Sequence, residues 1–217
     1  MAFTAAHLRA ARRHLRKHDP IMRSMINQVG PCTVRHQRNR FQMLVRSIIS
    51  QQISVGAARS IRTRLEQLLA PDQITPETLL RFKPRQLRSA GLSPQKATYI
   101  LDLASNIEQG HVVLRTIGRR SDEAVTRELT QVKGIGHWTA QMFLMFALGR
   151  LDIFPADDLG IRIAIRDHYD LAELPDKKIS HEIAEPWHPY ATIASWYLWR
   201  SLDLQRQRKA DKTRSST

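Results

Sequence analysis

The chain has 217 residues, enough for one large domain or two small lobes around a buried core. Its 34 Lys and Arg against 20 Asp and Glu give a formal charge of +14, an excess that attracts polyanions, with nucleic acid the first candidate and an anionic membrane surface the second. No apolar run approaches the roughly 18 residues of a spanning helix, and Cys32 as the sole cysteine excludes a disulfide or a cysteine-held zinc or iron–sulfur site and points to a reducing, intracellular compartment.

The start, "MAFTAAHLRAARRHLRKHD", is Arg-rich with no acid before Asp19, a composition also found in transit peptides. Ala5, Leu8, Ala11 and Leu15 nevertheless form one apolar stripe, which predicts a first domain helix with a basic outer face. "DPIMRSMINQVG" continues in the same style. His14 and His18, four apart on that helix and without an acidic or Cys partner, read as a solvated face rather than a metal site. Arg40–Ile49 and Val55–Leu69 carry apolar residues at helical spacing, the second with Ser54 as N-cap. Pro71–Pro84 is rich in turns but too short to mark a domain boundary. "TPETLL" and "SPQKATYILDLASNI" open with a hydroxyl cap and then Pro, a helix-start signal because Pro has no amide to lose. Gly91 and Gly110 are placed to terminate helices. Ser121–Gln131 and His137–Leu148 are helical around Gly134-Ile135-Gly136, Asp158–Tyr169 follows the loop "LDIFPADD", and "HPYATIASWYLWRSL" is the last helix. From Arg206 the chain turns polar and basic, which predicts a flexible tail after a helical domain at 1–205. With no alternating strand pattern and no repeat, the fold class is all-α.

Two segments carry candidate chemistry. A helix ending near Val132 and another starting near Gly136 leave amides unpaired at a positively polarised terminus. Gly134 and Gly136 let an anion approach the backbone and Lys133 adds charge, so the hairpin suits a phosphate held without base reading. A two-glycine turn alone also suits an ordinary αα-hairpin. Trp138 shares a helix face with Met142 and Met145, which core packing alone explains. Further on, Asp157 and Asp158 stand at a helix start, where an N-cap is the simplest role. In a strongly basic chain that attracts phosphates, a carboxylate there is better tolerated if it does chemistry, and the helix terminus keeps it ionised.

The hairpin, the Pro-containing loop and the Asp-led helix together resemble the helix-hairpin-helix (HhH-GPD) DNA glycosylase superfamily. "VKGIGHWTAQMFLMFALGRLDIFPADDLGIR" is similar to its alkyladenine branch, the 3-methyladenine DNA glycosylase II type. The resemblance runs from about Asp19 to Leu202 and includes "RFQMLVRSIISQQIS", "GLSPQKATYI" and the Trp-rich last helix. It implies a compact fold of two helical lobes around a DNA and base cleft, without the N-terminal α/β domain of longer relatives.

The resemblance also assigns roles. The catalytic aspartate falls on Asp158, while Asp157 is not needed for chemistry. The implied reaction hydrolyses the N-glycosidic bond of a flipped, alkylated purine of the 3-methyladenine and 7-methylguanine class in duplex DNA. Bifunctional members carry a lysine where Trp138 stands, and Trp forms no Schiff base, so no strand-cutting lyase step is expected. Trp138 and Trp196 match aromatic walls of the base pocket, where an indole face attracts a cationic purine by roughly 0.5–2 kcal/mol. Met142 and Leu159 stand where some relatives have tyrosines, and Trp187 and Trp199 read as structural. Gly134, Gly136, Lys133 and Thr139 match DNA-backbone contacts, although many hairpins of the superfamily have Pro in place of Lys133. Gln52 in "SQQIS" matches the residue that fills the gap left by the flipped base, and it is equally suited to capping the helix after Ser54. Carbonyls of Thr130, Val132 and Ile135 match a sodium or potassium site, and no cofactor is required. A monomer acting on damaged double-stranded DNA, in the cytoplasm and nucleoid or in a nucleus, is expected. A glycosylase for deaminated or etheno purines and a non-catalytic DNA-binding member are the alternatives, which Asp158 and the two tryptophans discriminate.

Overall fold

The computed structural model describes residues 3–215, and every regular element among them is helical. In chain order the α-helices are α1 (Ala5–His18), α2 (Pro20–Val29), α3 (Arg40–Ser50), α4 (Val55–Leu69), α5 (Pro76–Leu80), α6 (Pro84–Leu87), α7 (Pro94–Glu108), α8 (Asp122–Thr130), α9 (His137–Phe146), α10 (Leu159–His168), α11 (Lys177–Ala184) and α12 (Ala191–Ser215). Among the described residues no helix is long and apolar enough to cross a membrane.

Local chemistry explains where most helices begin. Side-chain oxygens of Thr4, Asp19, Asn39, Ser54, Thr75, Ser93, Ser121, Asp158 and Asp176 each accept a first-turn amide. A cap of this kind satisfies one of the orphan donors and contributes about 1 kcal/mol. The cap at Asp176 also starts α11, which the sequence does not predict. Its eight residues offer too few turns for a clear apolar period, and Pro175 and Pro186 bracket it.

The chain forms two compact units. One contains the residues up to His36 and those from Leu148 onward, with α12 packed on α2, α10 and α1. Leu15, Met22, Ile26, Trp187 and Tyr197 are fully buried in it. Asp19, 4% exposed, caps α2 and also accepts the indole N–H of Trp187 at 2.8 Å and the hydroxyl of Tyr169. Burial, and then that bond to Asp19, push the Tyr169 phenol well above its ordinary pKa. Burial likewise raises the Cys32 thiol to about 11, against the backbone bond of Val34 and the nearby Arg12, so the thiol stays neutral and inert at physiological pH.

The last helix departs from expectation at its C-terminal end. It continues through Ser215, past the Arg206 at which a flexible tail is predicted. "QRQRKADK" holds helix formers and neither Gly nor Pro, so nothing in it stops the helix. Ser216 and Thr217 of that tail lie outside the described residues.

The second unit, Gln37–Ala147, packs α3 against α4, α7 and α9, with α5 and α6 on α7 and α8 against α9. Leu44, Ile48, Leu103, Leu129 and Phe143 fill its core.

Candidate functional site

In the second unit, α8 and α9 are joined by a six-residue turn from Gln131 to Gly136. Gly134 has φ +81°, a conformation that side-chain-bearing residues avoid. It also packs against the ring of Tyr99, where a Cβ would sit 2.1 Å from Cδ2. Around it the loop is tied down. Gln51 Nε2 donates to the Gly134 carbonyl at 2.8 Å, and the Lys133 amide donates to Asp102 Oδ2 at 2.9 Å. Lys96 Nζ donates to the carbonyls of Ile49 at 2.8 Å and Gln51 at 2.7 Å, closing the end of α3, and burial lowers its pKa.

The result is an open cavity of about 810 Å³ that includes Gln52, Lys133, Gly134 and Gly136 among its walls. Four of the residues expected to meet DNA therefore share one concave surface. Gly136 starts α9 without a side-chain cap, at the positively polarised end of the helix. Gln52 is exposed and holds φ +56°, a left-handed backbone that costs a non-glycine residue energy and re-aims its side chain. It does not cap α4, because Ser54 does. Thr139 is different: it is 4% exposed and its side chain belongs to the core, so only its amide remains as a contact.

Thr130, Val132 and Ile135, whose carbonyls are expected to hold a cation, line the same cavity. Val132 accepts the Ile135 amide at 3.1 Å, which leaves its second lone pair. A set of backbone oxygens suits a hard cation, and among the described residues no cluster of His, Cys, Asp and Glu offers an alternative metal site.

Trp138, on the first turn of α9, is 43% exposed, which sets aside the core reading of its helix face. Met142, one turn on, is buried at 7% and lines a separate cavity of about 700 Å³ with Met43, Ser47 and Phe146. Met145 is fully buried.

In the first unit, the chain reaches α10 through a turn in which the Asp158 amide donates to the Pro155 carbonyl at 2.9 Å. Asp158 Oδ1 then accepts two hydrogen bonds of 2.9 Å, from the Ile161 amide and from Trp199 Nε1. The two donors fix the position of that oxygen at the start of α10. Gly160 makes room for this arrangement: a Cβ there would lie 3.1 Å from Asp158 Oδ1 and 3.3 Å from Trp199 Cδ1. Asp157 points elsewhere and forms an exposed pair with Lys177 at 3.2 Å, the kind that contributes little. Trp196 is half-buried and stacks edge-on against Tyr197, ring centroids 5.0 Å apart, and Leu159 is 57% exposed.

Trp187 is structural, as expected, but Trp199 is not only that. Its indole grips the carboxylate of Asp158. The available signal is its spacing of three from Trp196, which puts both rings on one stripe of α12.

A model of the HhH-GPD superfamily of base excision DNA repair proteins matches residues 45–189. The chain belongs to this superfamily. It is 31% identical over 202 residues to the alkylbase DNA glycosidase-like protein mag2 of Schizosaccharomyces pombe, covering 91% of this chain and 95% of that protein. A putative DNA-3-methyladenine glycosylase of Bacillus subtilis, YfjP, is 32% identical over 169 residues, and there the match covers 75% of this chain and 59% of the longer relative. Among solved structures, the Schizosaccharomyces pombe 3-methyladenine DNA glycosylase Mag1 in complex with abasic DNA superposes with a TM-score of 0.79 at 32% identity, covering 88% of this chain and 95% of that one. The helix-only architecture expected from the sequence is thus that of the superfamily.

Proposed function

We propose that this protein is a monofunctional DNA glycosylase that releases alkylated purines, of the 3-methyladenine and 7-methylguanine class, from duplex DNA. The observation that carries the reading is Asp158, a carboxylate at a helix terminus with one oxygen held by two donors. Held in this way, its charge is preorganised. Departure of the base leaves a sugar with oxocarbenium character, and an ionised carboxylate lowers the energy of that cation. The same group orients the water that completes hydrolysis. Alkylation at N3 or N7 makes the purine a cationic, activated leaving group, so little acid catalysis is required.

The base must leave the helical stack to reach the enzyme. Gln52, on its left-handed backbone beside the hairpin, is suited to fill the space it vacates. Gly134, Gly136 and Lys133 hold the strand by its phosphates, and the Thr139 amide extends the same first turn. Trp138 on α9 and Trp196 on α12 are the indoles assigned to stack on the cationic base, and Met142 and Leu159 are the less aromatic residues assigned to the same role. Carbonyls of Thr130, Val132 and Ile135 would hold a sodium or potassium ion, which supplies positive charge beside the phosphate when bound. With Trp138 in the place of an amine, no covalent enzyme–sugar link forms and the product is an intact strand with an abasic site. The protein acts as a monomer inside the cell.

The test is release of 3-methyladenine from methylated duplex DNA, followed by strand scission with and without alkali. Free base together with nicks only after alkali is the expected result. Release from deaminated or etheno purines alone, or no release from any lesion, overturns the substrate class or the enzymatic reading respectively.

Trp199 is a positioning residue in this reading. Trp199→Phe keeps the ring and removes the donor, so the single-turnover rate is expected to fall about three- to tenfold with DNA affinity unchanged. An unchanged rate, or a loss matched by an equal loss of thermal stability, assigns Trp199 to packing alone.

A further inference from the structure

The first unit carries a second concentration of positive charge that the proposed reaction does not use. Arg9, Arg12, Arg13, Arg16, Lys17 and Arg23 line a cavity of about 610 Å³ formed by α1 and the first turn of α2, and among the described residues no other lines it. Among the described residues, none of the six has a carboxylate partner within ion-pair distance. The acid between the two helices, Asp19, is buried and committed to Met22, Tyr169 and Trp187. Two of the guanidinium groups are fixed in place: Arg16 Nη1 donates to Asn27 Oδ1 at 2.6 Å and Arg23 Nε to the Arg16 carbonyl at 2.7 Å. Arg12 Nε is buried with no acceptor. Six like charges gathered in one hollow repel one another, and a polyvalent anion relieves that repulsion.

We propose that this surface binds the phosphate backbone of double-stranded nucleic acid, as a second contact in addition to the hairpin. Three features select that ligand. Arg9 to Lys17 rise about 12 Å along α1. One strand of a duplex presents a phosphate about every 3.4 Å of axis, so the row faces about three or four phosphates, more than a free phosphate ion offers. The lining has no aromatic ring on which unpaired bases would stack. The apolar stripe of α1, Ala11 and Leu15, is fully buried in the protein, so the helix has no apolar face to insert into a lipid surface.

The experiment measures binding of an undamaged, labelled 20-base-pair duplex by fluorescence anisotropy from 50 to 300 mM NaCl. It compares wild type, the triple variant Arg9→Gln/Arg13→Gln/Lys17→Gln, and a control of equal charge change on α6 and its two flanking residues, Lys83→Gln/Arg85→Gln/Arg88→Gln. Each lost phosphate contact reduces the slope of log affinity against log salt by about 0.9. The cluster variant is expected to lose about two to three units of slope and at least about tenfold in affinity at 100 mM, and the control much less. The charge-keeping variant Arg9→Lys/Arg13→Lys, with an unchanged thermal midpoint, is expected to retain wild-type slope. An unchanged slope in the cluster variant, or an equal loss in the control, overturns the proposal. Loss of binding to vesicles containing phosphatidylserine with duplex binding intact overturns it in favour of a lipid surface. Because no lesion is present, the outcome is independent of whether any base is excised.

Discussion

Asp158→Asn is expected to abolish base release, lowering the single-turnover rate at least about a hundredfold while leaving the protein folded. The substitution isolates charge from structure. Asparagine caps a helix as well as aspartate does, so the bond to the Ile161 amide survives. Its amide oxygen can still accept from Trp199 Nε1. What disappears is the full negative charge, and preorganised charge at a developing cation is usually the largest single contribution to such a rate. Affinity for a polyanionic duplex should not fall, because a negative group has been removed. Single-turnover excision and anisotropy on the same methylated duplex separate the two readouts. A variant that excises at the wild-type rate would remove Asp158 from the chemistry. A variant that loses both activity and thermal stability would return it to a helix cap. Asp157→Asn, which breaks only an exposed pair with Lys177, should leave the rate within about twofold.

Much of this arrangement is legible in the chain because it is written in local chemistry. Ser54, Ser93, Ser121 and Asp158 announce helix starts through their own hydrogen bonds, which depend on nothing distant. The hairpin and the Asp-led helix are likewise short-range patterns. The misses are long-range. Trp138 and Met142 are one turn apart on α9, yet one is exposed and the other buried, because the first turn extends past the edge of the core. Thr139 goes inward for the complementary reason. The spacing from Trp196 puts Trp199 on the same stripe of α12, but only the folded chain shows that its indole reaches Asp158, forty-one positions back. The same holds for Tyr99, whose ring lies under Gly134 and sets what that position can accept.

The two glycines of the hairpin should therefore respond differently to the same substitution. Gly134→Ala is expected to lower stability by about 2–4 kcal/mol and to weaken duplex binding at least about tenfold. A positive φ costs an alanine about 1 kcal/mol, and the new methyl would lie 2.1 Å from a ring carbon of Tyr99, so the loop or the ring must move. Moving the loop also breaks the Gln51 bond that aligns the Gly134 carbonyl. Gly136 has no positive φ, and a methyl carbon added there would meet nothing within 4 Å, so Gly136→Ala should fold with wild-type stability. Any loss of duplex affinity in that variant then comes from the ligand, which approaches the backbone where the methyl now stands. Urea denaturation and anisotropy on both variants give the four numbers needed. Gly134→Ala/Tyr99→Ala supplies the remaining control, since it removes the collision and keeps the strained φ. If the hairpin holds phosphate through its backbone, Gly136→Ala weakens binding without weakening the fold. If Gly136→Ala binds as wild type does, the phosphate is held by Lys133 and its neighbours, and the glycines serve only the turn.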